Sequence, residues 1–174
     1  GFLEDHLEAR NIRFRYFRPF TAGGMLPFGP EGFDGLIVLG QGPLGVVSGP
    51  LVPWLSAELR LIKAFLDSGQ PVVGIGLGAV LLAVAAGGGA EEAPLCCEIG
   101  EAVREDHASA AGRLVAAMPE RFTYASYMRD RPVLPGNSDV LARGEGGAPV
   151  VFAVGEGAIG FVGHPGIKSA MVED

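Results

Sequence analysis

Apolar and polar positions change their spacing several times along this chain, and each change marks an element. Phe2, Leu3, Leu7 and Ala9 recur among Glu4, Asp5, Glu8 and Arg10, which predicts an amphipathic helix over residues 1–10. Ile12 to Phe17 alternates apolar residues with arginine and predicts a half-exposed strand. A Gly/Pro loop follows over 19–32. Leu36 to Leu39 is fully apolar, as a strand buried on both faces would be, and runs into Gly40-Gln41-Gly42-Pro43. Residues 53–68 place Trp54, Leu55, Leu59, Ile62 and Leu66 on one helical face, with Gly69 as the stop. Pro71 to Ile75 is a second buried strand, and Ala79 to Ala86 a buried helix closed by three glycines. Later segments read as strands near 98–103, 112–115, 122–128 and 139–142. Val150 to Val154 and Ala158 to Val162 flank Gly155-Glu156-Gly157 as a hairpin. Strand and helix alternate in the first half, which predicts a parallel α/β sheet covered on both faces; the second half is richer in strand.

Composition narrows the partners. The chain has 174 residues, enough for one domain with a sizeable core. Acidic residues number 20 against 13 basic, and lysine occurs only at 63 and 168. A net charge of −7 without a basic stripe argues against nucleic acid or an anionic membrane as the main partner. Mean hydropathy is +0.33, which excludes intrinsic disorder. The two cysteines, Cys96 and Cys97, are adjacent and make no disulfide framework, so a reducing cytoplasm is expected. The start, Gly1 to Asp5, has no signal-peptide character. Residues 71–90 carry no charge over the length of a membrane span, but glycines divide them into two short pieces, and no aromatic belt borders them.

Candidate chemistry collects on two glycine-rich loops that follow apolar strands, 40–45 and 74–78, because ligands of open α/β sheets bind beyond the carboxyl ends of strands. Gly74-Ile75-Gly76-Leu77-Gly78 has the strand–turn–helix form of a nucleophile elbow, yet its apex is Gly76, and no Ser, Cys or Thr lies between Ser68 and Cys96. The same glycines, with Ala79, fit a dinucleotide fingerprint. The acidic residue that this motif needs about 20 positions on would be Glu91 or Glu92, which come early and follow a glycine turn instead of a strand.

Five blocks in order make the chain similar to a class I glutamine amidotransferase domain of the stand-alone, GMP-synthase-like type. They are Leu39-Gly40-Gln41-Gly42-Pro43, Pro53-Trp54-Leu55, Gly74-Ile75-Gly76-Leu77-Gly78-Ala79-Val80, Glu98-Ile99-Gly100 and His164-Pro165-Gly166. The resemblance covers nearly the whole chain. It implies a flavodoxin-like open, mostly parallel sheet with helices on both faces, in one domain over 1–174. On this reading the family's first strand and last helical segment fall outside the sequence. In the family an elbow cysteine attacks the glutamine amide. A histidine activates it, oriented by a glutamate two residues on, and backbone N–H groups of the glycine loops hold the oxyanion. Ammonia then passes to a synthetase.

Carried over residue by residue, the resemblance puts the nucleophile position at Gly76, the base at His164 and the orienting acid at Gly166. Backbone groups of the oxyanion and glutamine pocket fall at Gly40, Gly42 and Leu77. Two of the three triad positions have no side chain. Val80 replaces the family's glutamine after the elbow, Gln41 is inserted in the oxyanion loop, and Met128 stands where related members have histidine. The expectation is a catalytically degenerate scaffold that works as a structural or regulatory subunit, with no metal or cofactor. Its partner would be a synthetase, a homologous amidotransferase or a second copy. Two alternatives stay open: a glutaminase using Cys97 as a relocated nucleophile with His164, and a sensor holding a small molecule in the vacated glutamine pocket. Simpler roles are expected for the other residues. Gly76 relieves a strained turn, and His164 is a hydrogen-bonded relic. Cys97 is a buried small apolar residue, and Trp54, Tyr124 and Tyr127 are packing. Glu91 and Glu92 make a solvated turn, and Arg129-Asp130-Arg131 is a surface charge cluster.

Overall fold

The computed structural model describes residues 2–21, 24–40, 42–106 and 112–165. Gln41 and Gly166, singled out above, lie outside the described residues. Helices are α1 (Phe2–Glu8), α2 (Leu55–Asp67), α3 (Leu77–Ala85) and α4 (Gly112–Ala117). Strands are β1 (Leu36–Gly40), β2 (Val72–Gly76), β3 (Gly89–Glu91), β4 (Cys96–Arg104), β5 (Arg121–Met128), β6 (Arg131–Val133), β7 (Ser138–Arg143), β8 (Pro149–Val154) and β9 (Ala158–Phe161).

Among the described residues, seven strands form one sheet in the order β1-β2-β9-β8-β7-β4-β5, and β3 pairs with β6 apart from it. β1, β2 and β9 are hydrogen-bonded in parallel, while the pairs from β9 through to β5 are antiparallel. Five of the seven strands (β1, β2, β9, β7 and β5) therefore point the same way, as the α/β reading expects. The parallel part carries the glycine elbow. Helices pack on both faces, and β8 shows why: Phe152 and Val154 join one apolar cluster with Leu61, Ile62 and Phe65 of α2 and Val80 and Leu82 of α3. Val151 and Ala153 face the other way, into a second cluster with Ala102, Leu141, Ala142 and Val115 of α4. Alternate residues of an extended strand point to opposite faces, so a run of five apolar residues feeds two cores.

The helix over 53–68 is α2, with Gly69 at φ +73° directly after its end. No helix among the described residues is long and apolar enough to cross a membrane; the uncharged stretch 71–90 is β2, α3 and the start of β3. Three expectations are corrected. Residues 12–17 form no strand: among the described residues no strand pairs with them, and their rings pack on one another and on arginines instead. Phe14 meets Tyr16 edge-on at 5.5 Å, and Arg15 and Arg18 lie over Phe17 and Tyr16. Residues 112–115 begin α4, a short apolar run whose period does not separate strand from helix. The turn around Glu91 belongs to β3, where Glu91 pairs in register with Arg131.

Candidate functional site

The elbow arises from packing that demands glycine. β1 and β2 lie in register, Gly40 opposite Gly76, and α3 starts on the residue after the turn. For its first turn to seat on the two strands, side chains must be absent. A Cβ on Gly78 would lie 2.1 Å from the Val38 carbonyl oxygen, and one on Gly74 would lie 2.4 Å from that of Gly78. At the apex Gly76 adopts φ +61° and ψ −122°, a conformation that costs other residues strain.

His164 occupies the space above that apex. A Cβ at position 76 would stand 2.3 Å from His164 Nε2 and 2.3 Å from the Gly40 carbonyl oxygen. The imidazole is half-buried and bonded at both nitrogens. The Tyr127 N–H donates to Nδ1 at 3.3 Å, so Nε2 carries the ring proton and donates it to the Gly40 carbonyl at 3.1 Å. Its backbone N–H donates to the Ala125 carbonyl at 2.7 Å. Burial pushes its pKa below the ordinary histidine value, against the opposing pull of the Gly40 and Ala125 carbonyls. With these two bonds the ring is a neutral imidazole, and its one basic lone pair, on Nδ1, is occupied by the Tyr127 N–H.

The loop after β1 is built on Asp130, and here the surface-cluster expectation fails. Asp130 is only 2% exposed, at φ +61°. Its Oδ2 accepts the backbone N–H groups of Val46 (2.7 Å), Val47 (2.9 Å) and Ser48 (3.2 Å), while Oδ1 accepts the Ser48 hydroxyl. Burial alone would raise the pKa of this carboxyl. The Ser48 hydroxyl and the three N–H groups outweigh it and hold the group below the usual aspartate value. The sequence hides this role, because Asp130 sits between two arginines and its partners lie more than eighty residues away. The Arg129 side chain packs beneath the same loop, where a Cβ on Gly49 would lie 2.5 Å from its Nη1.

The remaining expected residues separate. Gly42, at φ +83°, donates its N–H to the Tyr127 carbonyl at 2.8 Å, so that donor is committed within the protein. Leu77 is buried as the first residue of α3, and a Cβ on Gly40 would touch its side chain at 2.9 Å. Cys97 is exposed, not buried, because it lies on the β4–β5 ribbon beside exposed Ile99 and opposite exposed Tyr127. It also lies across a strand from the imidazole: β4 runs along one edge of β5, and His164 bonds to the other, so the β5 backbone stands between them. Met128 is buried in the main core. Trp54 sits at the rim, 36% exposed. Tyr124 is half-buried and donates to Glu98 at 2.5 Å; burial, then this carboxylate, pushes its pKa up to about 12. The dinucleotide fingerprint loses its acid, since the strand after α3 pairs with β6 and not beside β2.

No family model matches the chain, and no curated protein does. Solved structures do. The chain is similar to a glutamine amidotransferase from Methylobacillus flagellatus, at TM-score 0.85 and 25% identity, covering 99% of this chain and 68% of that one. A glutamine amidotransferase from Thermotoga maritima matches at TM-score 0.78 and 24% identity, covering 94% and 69%. A candidate GMP synthase subunit from Thermoplasma acidophilum matches at TM-score 0.62 and 19% identity, covering 80% and 66%. The chain has the class I glutamine amidotransferase fold, and it spans about two thirds of the length of these structures.

Proposed function

We propose that this is an amidotransferase-like protein that has lost glutamine hydrolysis and acts as a structural or regulatory subunit of a larger enzyme complex in the cytoplasm. Its partner is a homologous amidotransferase or a synthetase. One observation carries the reading: the elbow apex is Gly76, and the His164 ring fills the space where a nucleophilic side chain would begin. Amide hydrolysis by this fold needs a thiolate to bond to the carbonyl carbon and a base to take its proton. Among the described residues, the elbow apex offers no atom to form the first bond. Both nitrogens of the His164 imidazole are also engaged with backbone, which counts against its serving as that base. The occupied apex likewise disfavours a ligand held where the thiol would be. The β5 backbone between Cys97 and His164 disfavours the relocated-nucleophile alternative.

The test is ammonia release from glutamine by the isolated chain beside a Gly76→Cys, Gly166→Glu variant. A silent wild type with slight activity in the variant supports the proposal. Turnover by the wild type refutes it. For the subunit role, the protein should elute from native extract in a complex that survives gel filtration; a lone monomer would count against it.

A further inference from the structure

Among the described residues, the two outermost strands of the seven-stranded sheet, β1 and β5, meet at one corner although five strands separate them in the order of pairing. Gly42, just past β1, forms an isolated parallel bridge with Met128 at the end of β5, and its N–H bonds to the Tyr127 carbonyl. The His164 ring lies across the same junction, donating to Gly40 of β1 and accepting from Tyr127 of β5. Its own backbone is tied to Ala125 and continues from β9. Three chain segments from distant parts of the sequence thus share one imidazole.

We propose that His164 is a structural clasp that fastens the two edges of the curled sheet together, and that Gly76 is the socket that makes room for it. The inference does not depend on the loss of glutamine chemistry. It states what the histidine now does, and it would hold for any ligand or partner. The physical basis is steric and directional. The ring reaches the Gly40 carbonyl only because position 76 has no Cβ, which would come within 2.3 Å of Nε2. Contact between the ring and a side chain at 76 is therefore exclusive: any substituent must expel the ring or push back the end of β1.

The test is NMR of the wild-type chain with hydrogen exchange on variants. In wild type, His164 should be the neutral Nε2–H tautomer, read from its ring nitrogen shifts, and the Tyr127 and Gly42 amides should be protected. His164→Ala should speed exchange at both amides by about tenfold or more, as expected for a local opening, while α2 and α3 keep their protection. Gly76→Ala should reproduce that local loss although it touches neither amide. The double variant should add nothing further at these two positions. An Nδ1–H tautomer in wild type would overturn the proposal without any variant. So would unchanged Tyr127 exchange in His164→Ala, or additive losses in the double variant. Should His164→Ala fail to fold, the wild-type tautomer and the Gly76→Ala exchange pattern still decide between the two outcomes.

Discussion

Replacing Asp130 with alanine removes the acceptor around which residues 46–48 are wrapped. Five donors lose an acceptor: the N–H groups of Val46, Val47, Ser48 and Ala93, and the Ser48 hydroxyl, which keeps the Ala93 carbonyl as a second partner at 3.3 Å. Val47 is exposed, so water can satisfy its N–H, whereas Val46 and Ser48 are 7% and 6% exposed. Two buried N–H groups left unsatisfied cost about 1–1.5 kcal/mol each, the lower part of the range for such groups. Alanine at φ +61° adds about 1 kcal/mol, because a Cβ without a local hydrogen bond is disfavoured there. The sum, about 3–4 kcal/mol, is a large share of the roughly 5–15 kcal/mol that holds a domain of this size folded. Asp130→Asn keeps one acceptor oxygen and tolerates the backbone, so it should cost about 1–2 kcal/mol. Urea denaturation at pH 7 reads both values from the transition midpoint at constant slope. The reasoning is refuted if Asp130→Ala costs under about 1 kcal/mol, the surface-substitution range, or if asparagine is as damaging as alanine. The pH dependence supplies a second check. The folded pKa lies below the unfolded value, so the contribution is complete above about pH 4 and is lost as pH falls through the folded value.

Three further outcomes are expected. The folded pKa of His164 is lowered, so the unfolded chain binds its proton first, and stability should decline as pH falls below about 6.5; His164→Gln should remove that decline from the urea midpoint between pH 5 and 8. Gly160→Ala would place a Cβ 2.3 Å from the Phe152 ring between β8 and β9, and overpacking should cost about 1–3 kcal/mol, measured as a lower Tm. In an ultraviolet titration one tyrosine should ionise near 12, and Tyr124→Phe should delete that step; a titration unchanged by the substitution would remove Tyr124 from the group that burial and Glu98 hold protonated.

Much of the architecture is written in local spacing. The apolar runs 36–39 and 71–75, the 3.6-residue stripe of 53–68 and the Gly155-Glu156-Gly157 turn each specify their element through contacts a few residues long, and they appear as β1, β2, α2 and the β8–β9 hairpin. The glycine apex of the elbow is legible for the same reason: a strand-to-helix turn is a local object, and its missing side chain is visible at once. What lay beyond the sequence depends on distant partners. Residues 12–17 have a strand's alternation, but a strand exists only when a neighbour offers a ladder. Residues 112–115 are too short for their period to choose between strand and helix. Asp130 reads as one charge among arginines until the fold brings the N–H groups of Val46 to Ser48 onto it. Residue types alone determined that the elbow has no nucleophile. Only the tertiary structure decided what fills its place, because the two bonds that hold the His164 ring run to Gly40 and Tyr127, residues brought together when the edges of the sheet curl to meet.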